Sequence, residues 1–255
     1  LKEINTGIIA FNCDALKRAL RQVKQNIRKK EFYLTDVISI MHASGNLIGG
    51  VRVENADEAI GINSRVELAS ANKIMQTRIN EAFMRQGVSI VDPASTFIDY
   101  GVKIGNDTVI YPFTVIENNV TIGSRCSVGP FLHVRAETRI ADNVVVGNFL
   151  EIARTSLSSG TFVKHFGYLG DSRVGRQVNI GAGVVTANFD GKAKHITTIK
   201  DHAFVGSDTV CVAPVEIGAY AVTGAGSVVT RRSKVPRGSV VAGVPARPLV
   251  SKKTK

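Results

Sequence analysis

The chain has 255 residues, 44% of them hydrophobic, and a formal net charge of +11. That length holds one large domain or two small ones, and no stretch approaches the ~18 consecutive apolar residues of a membrane-spanning helix. The cationic excess suits an anionic partner such as a phosphorylated small molecule, while 6% aromatic residues are too few for a base-stacking platform, so nucleic acid is not the expected partner.

Cys13, Cys126 and Cys211 are far apart and odd in number. They form neither a CxxC pair nor a disulfide framework and read as reduced, partly buried thiols of a cytoplasmic protein. The start of the chain lacks the basic-then-apolar pattern of a secretory signal. It opens on Leu1 inside what reads as a strand, as a fragment would.

In chain order, "EINTGIIAFN" reads as a strand and Asp14 as the N-cap of a helix over "ALKRALRQVKQNI". "FYLTDVISIMHASGN" reads as a strand end, a helix and a Gly-Asn turn, and "LIGGVRVE" as another strand. Val66, Ala69, Ile74, Met75, Ile79, Ala82 and Phe83 have helical spacing. The expected organisation is an α/β remnant over 1–64, a connecting helix over 65–87, a β-helix over 88–250 and a basic tail over 251–255.

From Ile98 an aliphatic residue recurs every sixth position: Ile104, Ile110, Ile116, Ile122, Val128, Val134, Ile140, Val146, Ile152. After slips of one residue the beat resumes at Leu157, Val163 and Leu169, then at Val174 and Ile180. It returns from Ile199 to Val241 after "TANFDGKAKHITT". A helix would show a period of 3.6 and an isolated strand a period of 2. A period of six predicts a mainly β fold, a parallel β-helix in which aliphatic side chains stack inward coil on coil. Glycine often follows the aliphatic residue, as at Gly105, Gly123, Gly147, Gly181 and Gly218. The sequence reading assigns these glycines to corners of positive φ. The interruption loops out of the wall as either a surface excursion or part of a binding face.

No P-loop, G-x-S-x-G or H-E-x-x-H occurs, and no close histidine pair in the repeats suggests a metal site. Read alone, His165 in "KHFGYLGD" is an outward-facing surface histidine. Its surroundings change that reading. The motifs H-x-x-Y-L-G-D, N-I-G-A-G, N-F-D-G, V-G-S-D-T and G-A-G-S-V-V-T occur in order. Together they closely resemble the acetyltransferase domain of the bacterial bifunctional N-acetylglucosamine-1-phosphate uridylyltransferase / glucosamine-1-phosphate acetyltransferase family. "EINTGI", "EFYLTD" and "GINSR" resemble the end of that family's uridylyltransferase domain, so the resemblance covers nearly the whole chain.

The resemblance implies a left-handed β-helix and a homotrimer with acetyl-transfer sites between neighbouring copies. It implies that His165 is the general base freeing the sugar's amine to attack acetyl-CoA; an imidazole ordinarily titrates at about 6.5, so the neutral form is available at pH 7. Glu151 would orient His165, and Asn188 and Ser207 would serve the reacting centre. Arg135, Tyr168, Asn179 and Lys194 would bind the sugar phosphate, Arg135 as the anchor. Ala182, Asn188, Phe189, Ser207 and Ala225 would contact acetyl-CoA. Upstream, Asn5 resembles a sugar-nucleotide contact and Asn63 a magnesium ligand. The family's glycine-rich nucleotide loop and metal-binding aspartate would precede Leu1, so uridylyl transfer is not expected of this chain.

Three positions depart from the family pattern. Ala153 stands where a second lysine is common, with Arg154 beside it. Phe189 replaces a tyrosine, and Ala242 stands where a basic acetyl-CoA contact is expected. These changes touch phosphate and CoA affinity and leave open another amino sugar or amino-sugar nucleotide as substrate. A trimeric scaffold binding polyanions is the remaining alternative.

Overall fold

The computed structural model of the protein describes residues 5–249, so the basic tail lies outside the described residues. The chain divides into two units, residues 1–71 and 72–255. In the first, helices α1 (Cys13–Leu20) and α2 (Asp36–Ala43) enclose a small cluster of Ala15, Ala19, Val37 and Met41. The cap of α1 is Asn12 rather than Asp14: with extended backbone, Asn12 accepts the N–H groups of Asp14 and Ala15 at 3.2 and 3.1 Å. The strands expected in "EINTGIIAFN" and "LIGGVRVE" do not form among the described residues. Leu47 and Val51 are 99% and 95% exposed, and a lone extended segment has no neighbour to pair its backbone.

Helix α3 (Arg65–Arg85) crosses the division between the units. It opens on a capping box in which Ser64 Oγ accepts the Glu67 N–H at 3.2 Å and the Glu67 carboxylate accepts the Asn63 N–H at 2.7 Å. Its buried residues are polar, a difference from the apolar stripe read from sequence: Val66 is 77% exposed, whereas Gln76 and Asn80 are buried. Their amides donate to the carbonyls of Pro93, Ala94 and Thr96. A turn at the end of a coil stack leaves carbonyls without ladder partners, and these amides satisfy them. Ile79 and Phe83 pack beside this seam on the core.

The second unit is a parallel β-solenoid. Short strands form three sheets of ten, eight and eight strands. Each sheet is one wall, and each coil visits all three. The first wall includes Phe162–Val163 and Asn179–Ile180, the second Leu150–Ala153 and Gly167–Gly170, the third Arg139–Ile140 and Ser172–Val174. Within the three sheets all pairings are parallel except the last, where Arg247–Pro248 returns antiparallel on Val240–Ala242. Ile98 stands against Ile116, Ile116 against Val134 and Val134 against Ile152, so three hexapeptides make one coil. The six-residue beat is buried throughout except at Ile104, which is half-buried at the open edge of the third wall. Each fully buried aliphatic side chain contributes roughly 1.5–3 kcal/mol.

A second buried position lies two residues before most beats. It holds small side chains such as Thr108, Cys126, Val144, Thr161, Val178, Ala203 and Ala221. Threonine fits because its hydroxyl reaches a neighbouring carbonyl, as in Thr108 to Gly123 O and Thr161 to Gly175 O, both 2.8 Å.

Among the glycines after the beat, Gly129 has the positive φ read in sequence, but most have a different cause. Gly105, Gly123, Gly147, Gly181 and Gly218 do not have positive φ. A Cβ on Gly218 would lie 2.7 Å from Arg237 N and Val235 O, and one on Gly181 2.5 Å from Ser207 N. Adjacent coils approach too closely for any side chain at this place. The left-handed corner residues are mostly not glycine: Asp107, Phe113, Asn119, Phe131, Asn143, Phe149, Arg154 and Asp171 all have φ between 48 and 60.

Candidate active site

Two corners of the solenoid carry the candidate residues. At the corner between the first and second walls, strand register places His165, Ala182, Ser207 and Ala225 in line on four successive coils. The preceding coils fill this corner with a ladder of exposed rings. Phe113 and Phe131 stack at 4.8 Å, and Phe131 and Phe149 at 4.6 Å. Beyond Phe166 the ladder stops, and Gly183, Asp208 and Gly226 take the ring positions. His165 therefore stands where a crowded corner gives way to one built of small residues. Its ring is exposed and makes no hydrogen bond among those found for the described residues. The backbone holds the column, with Gly183 N donating to Phe166 O, Asp208 N to Ala182 O and Gly226 N to Ser207 O, at 2.7–2.8 Å.

The second wall carries a charged row. His133, Glu151 and Tyr168 face outward on adjacent coils. Arg135 Nη1 donates to Glu151 Oε1 at 3.1 Å, and its Nε lies 3.9 Å from Glu117 Oε1. Glu117 also pairs with His133 Nε2 at 2.8 Å and accepts the Ala136 N–H at 3.1 Å. That amide, with His133 and Arg135 beside it, holds the Glu117 carboxyl below its ordinary range. The structure thus pairs Glu151 with Arg135 and sets Arg135 between two carboxylates; no hydrogen bond joins Glu151 to His165 within one chain. Asn179 lies on a different face, outward on the first wall between Phe162 and Phe204.

At the corner between the second and third walls the repeat is irregular. The one-residue slips read from sequence fall at Arg154 and Asp171, and the insertion follows on the next coil at Asn188. Arg154, Asp171 and Asn188 stand in register, 17 residues apart. Arg154 grips Asp171 with a fork of two hydrogen bonds, 2.7 and 2.9 Å. That grip, aided by the Asn188 amide, holds the Asp171 carboxyl below its ordinary range. Asn188 also lies 3.5 Å from the Tyr168 hydroxyl.

The insertion is an ordered hairpin. Phe189 and Lys194 pair antiparallel, and Asp190 accepts the N–H groups of Lys192 and Ala193 at 3.0 and 2.8 Å. His195 and Arg231 both bond the Asp190 carboxylate, at 2.7 and 2.9 Å. These contacts pin the loop bearing Lys194 to a later coil, and the Ala193 amide first, then His195, lowers the Asp190 pKa.

Two residues of the first unit stand apart. Asn5 is exposed and accepts the Gly7 N–H at 2.9 Å. Asn63 is exposed with its backbone bonded to Glu67. Among the described residues no group of three His, Cys, Asp or Glu side chains could hold a metal, and no step is assigned to one. No helix of the described residues is long and apolar enough to cross a membrane.

Two shallow concavities, of about 230 and 580 Å³, lie along the third wall between Lys103, Arg139 and Arg173. Neither includes His165. Sequence reasoning missed Glu117, His133, Asp171 and the ion-pairing of Arg154. Their signal is the coil spacing: residues 17 or 18 apart become neighbours once the walls are stacked.

The bacterial transferase hexapeptide (six repeats) model matches residues 101–136. The chain is 41% identical to the bifunctional protein GlmU of Thermosipho africanus over 95% of its own length and 60% of that protein's. It is 44% identical to the GlmU of Syntrophotalea carbinolica over 91% of its length and 57% of that protein's. A solved UDP-N-acetylglucosamine acyltransferase from Francisella novicida is similar at a TM-score of 0.47 and 17% identity, covering 63% of this chain and 69% of that one. The chain spans about three fifths of the curated relatives it matches. The chain is thus similar to GlmU proteins over nine tenths of its own length, and its parallel solenoid carries the bacterial transferase hexapeptide repeat.

Proposed function

We propose that this protein is an acetyl-CoA-dependent N-acetyltransferase whose acceptor is the amine of glucosamine 1-phosphate. The observation that carries the reading is the column of His165, Ala182, Ser207 and Ala225 along one corner. An exposed imidazole stands at the head of a strip of small residues that leaves room for an extended pantetheine arm. Neutral His165 takes a proton from the attacking amine as its nitrogen bonds to the thioester carbonyl carbon, and the tetrahedral adduct collapses to amide and CoA thiolate. The thiolate recovers the proton from the imidazolium. Ser207, two coils along the column from His165, is proposed to serve the acetyl group. Tyr168, Arg135 and Lys194 bring hydrogen-bonding and cationic groups for the phosphate. Glu151, beside Tyr168, is the group proposed to orient His165.

Asn179 faces outward from a different wall than Tyr168. That divergence supports an assembly, a homotrimer in the proposed reading, in which neighbouring copies complete each site. Three free thiols suit a reducing, cytoplasmic setting.

The test is CoA release from acetyl-CoA with glucosamine 1-phosphate, in wild-type protein and in His165→Ala. Loss of general-base help lowers kcat by roughly 10²–10⁴; a His165→Ala protein with near-normal transfer refutes the mechanism. The engagement of Arg135 by two carboxylates, together with Ala153 in place of a lysine, favours one second reading: an amino sugar with less phosphate to grip. A higher kcat/KM for such a sugar than for glucosamine 1-phosphate decides for it.

A further inference from the structure

The irregular corner does more than interrupt the repeat. Arg154 and Asp171 both hold φ of 48, in the left-handed region that non-glycine residues rarely occupy. Their bidentate pair locks two successive coils at the place where each has lost one residue. Asn188, only 7% exposed, stands on the third coil. Its Nδ2 donates to the same Asp171 oxygen that Arg154 Nη2 contacts. The reversed amide would put its carbonyl oxygen against a carboxylate, so the charge fixes the orientation. The second N–H faces the Tyr168 hydroxyl at 3.5 Å. Gly170 makes the arrangement possible: a Cβ there would lie 2.6 Å from Asn188 Nδ2 and 2.7 Å from Tyr168 Cε1.

We propose that Asp171, held by Arg154, is a positioning residue that fixes the Asn188 amide with both donors turned inward and its carbonyl oxygen presented to substrate. This rests on the acetyl-transfer reading of the site. In that role Asn188 accepts an N–H, from the sugar's amine or the pantetheine arm, and the oxyanion of the tetrahedral adduct is met by other donors. The brace includes Arg154, the neighbour of Ala153, where a lysine is common in the family pattern.

A double-mutant cycle tests it. Asp171→Asn, Asn188→Ala and the double variant are compared with wild type for kcat and for KM of both substrates. A charge-assisted hydrogen bond to the positioned group predicts a fall in kcat of roughly 10- to 100-fold in Asp171→Asn. In the Asn188→Ala background the same change adds less than about twofold, because the partner it acts through is gone. Losses that multiply in the double variant, or full activity in Asp171→Asn, overturn the proposal. Should Asp171→Asn fail to fold, Arg154→Lys keeps the charge and loses the fork. It is expected to lower kcat with little change in either KM, and an unchanged kcat overturns the brace. If wild-type protein consumes no acetyl-CoA, the functional reading fails and the brace is judged separately by hydrogen exchange of the Asn188 side-chain amide. Protection that disappears in Asp171→Asn supports the brace, and equal exchange in both proteins overturns it.

Discussion

Replacing Gly218 by alanine separates two explanations of the glycines in this solenoid. Its φ is not in the left-handed region, yet a Cβ would lie 2.7 Å from Arg237 N and Val235 O and 2.8 Å from Pro236 C, all backbone atoms of the next coil. Nothing flexible can move aside, so the coils must part locally, an overpacking strain of about 1–3 kcal/mol. Gly238 supplies the contrast: its φ is +66 and no atom lies within 4 Å of the ideal Cβ. Alanine there meets only left-handed backbone strain, about 1–2 kcal/mol. Asparagine tolerates that conformation, as Asn119 and Asn143 do at other corners. At Gly238, asparagine is therefore expected to restore most of what alanine loses. At Gly218, asparagine is expected to cost at least as much as alanine, because Cβ itself is the obstacle. Thermal unfolding of the four variants reads this out, each kcal/mol lowering the midpoint by about 2–4 °C for a unit of this size. If asparagine rescues Gly218 as it does Gly238, the close approach of the coils is not what excludes side chains.

Two further outcomes follow from the charges and thiols. The Arg154 fork lowers the folded pKa of Asp171 below its unfolded value of about 3.9. Its stabilisation is thus complete above that unfolded value and lost as pH falls through the lowered folded one. The stability gap between wild type and Arg154→Ala, followed by urea unfolding, should be level from neutral pH to about 5 and close at lower pH; a constant gap down to pH 2 contradicts the ion-pair account. Burial pushes the Cys211 thiol up to about 12 and raises that of Cys126 as well, while Cys13 is exposed. A thiol reagent at neutral pH should label one cysteine per native chain and three after denaturation; rapid native labelling of Cys211 contradicts the packing of the second wall.

The coil architecture was legible because burial in a solenoid is nearly one-dimensional. Each inward side chain needs only its equivalents above and below, so Ile98, Ile116, Val134 and Ile152 announce themselves by spacing alone. Helices α2 and α3 were legible as segments, but the apolar spacing read for α3 does not mark its buried face. The expected strands near Ile8 and Val51 failed because a β pattern without a partner strand carries no pairing energy. The amide seam of α3 escaped notice because Gln76 and Asn80 answer carbonyls of a turn that only the folded coil exposes.

The sequence by itself determined the repeat, the place of its interruption and, through the ordered motifs, which histidine to examine. It could do so because inward beats and motif residues are encoded at fixed short intervals. Only the tertiary structure decided that Glu151 pairs with Arg135, that Asn12 caps the first helix, and that Arg154, Asp171 and Asn188 form one column. Those partners lie on different coils or depend on backbone conformation, and their hydrogen bonds exist only once the walls have stacked in register.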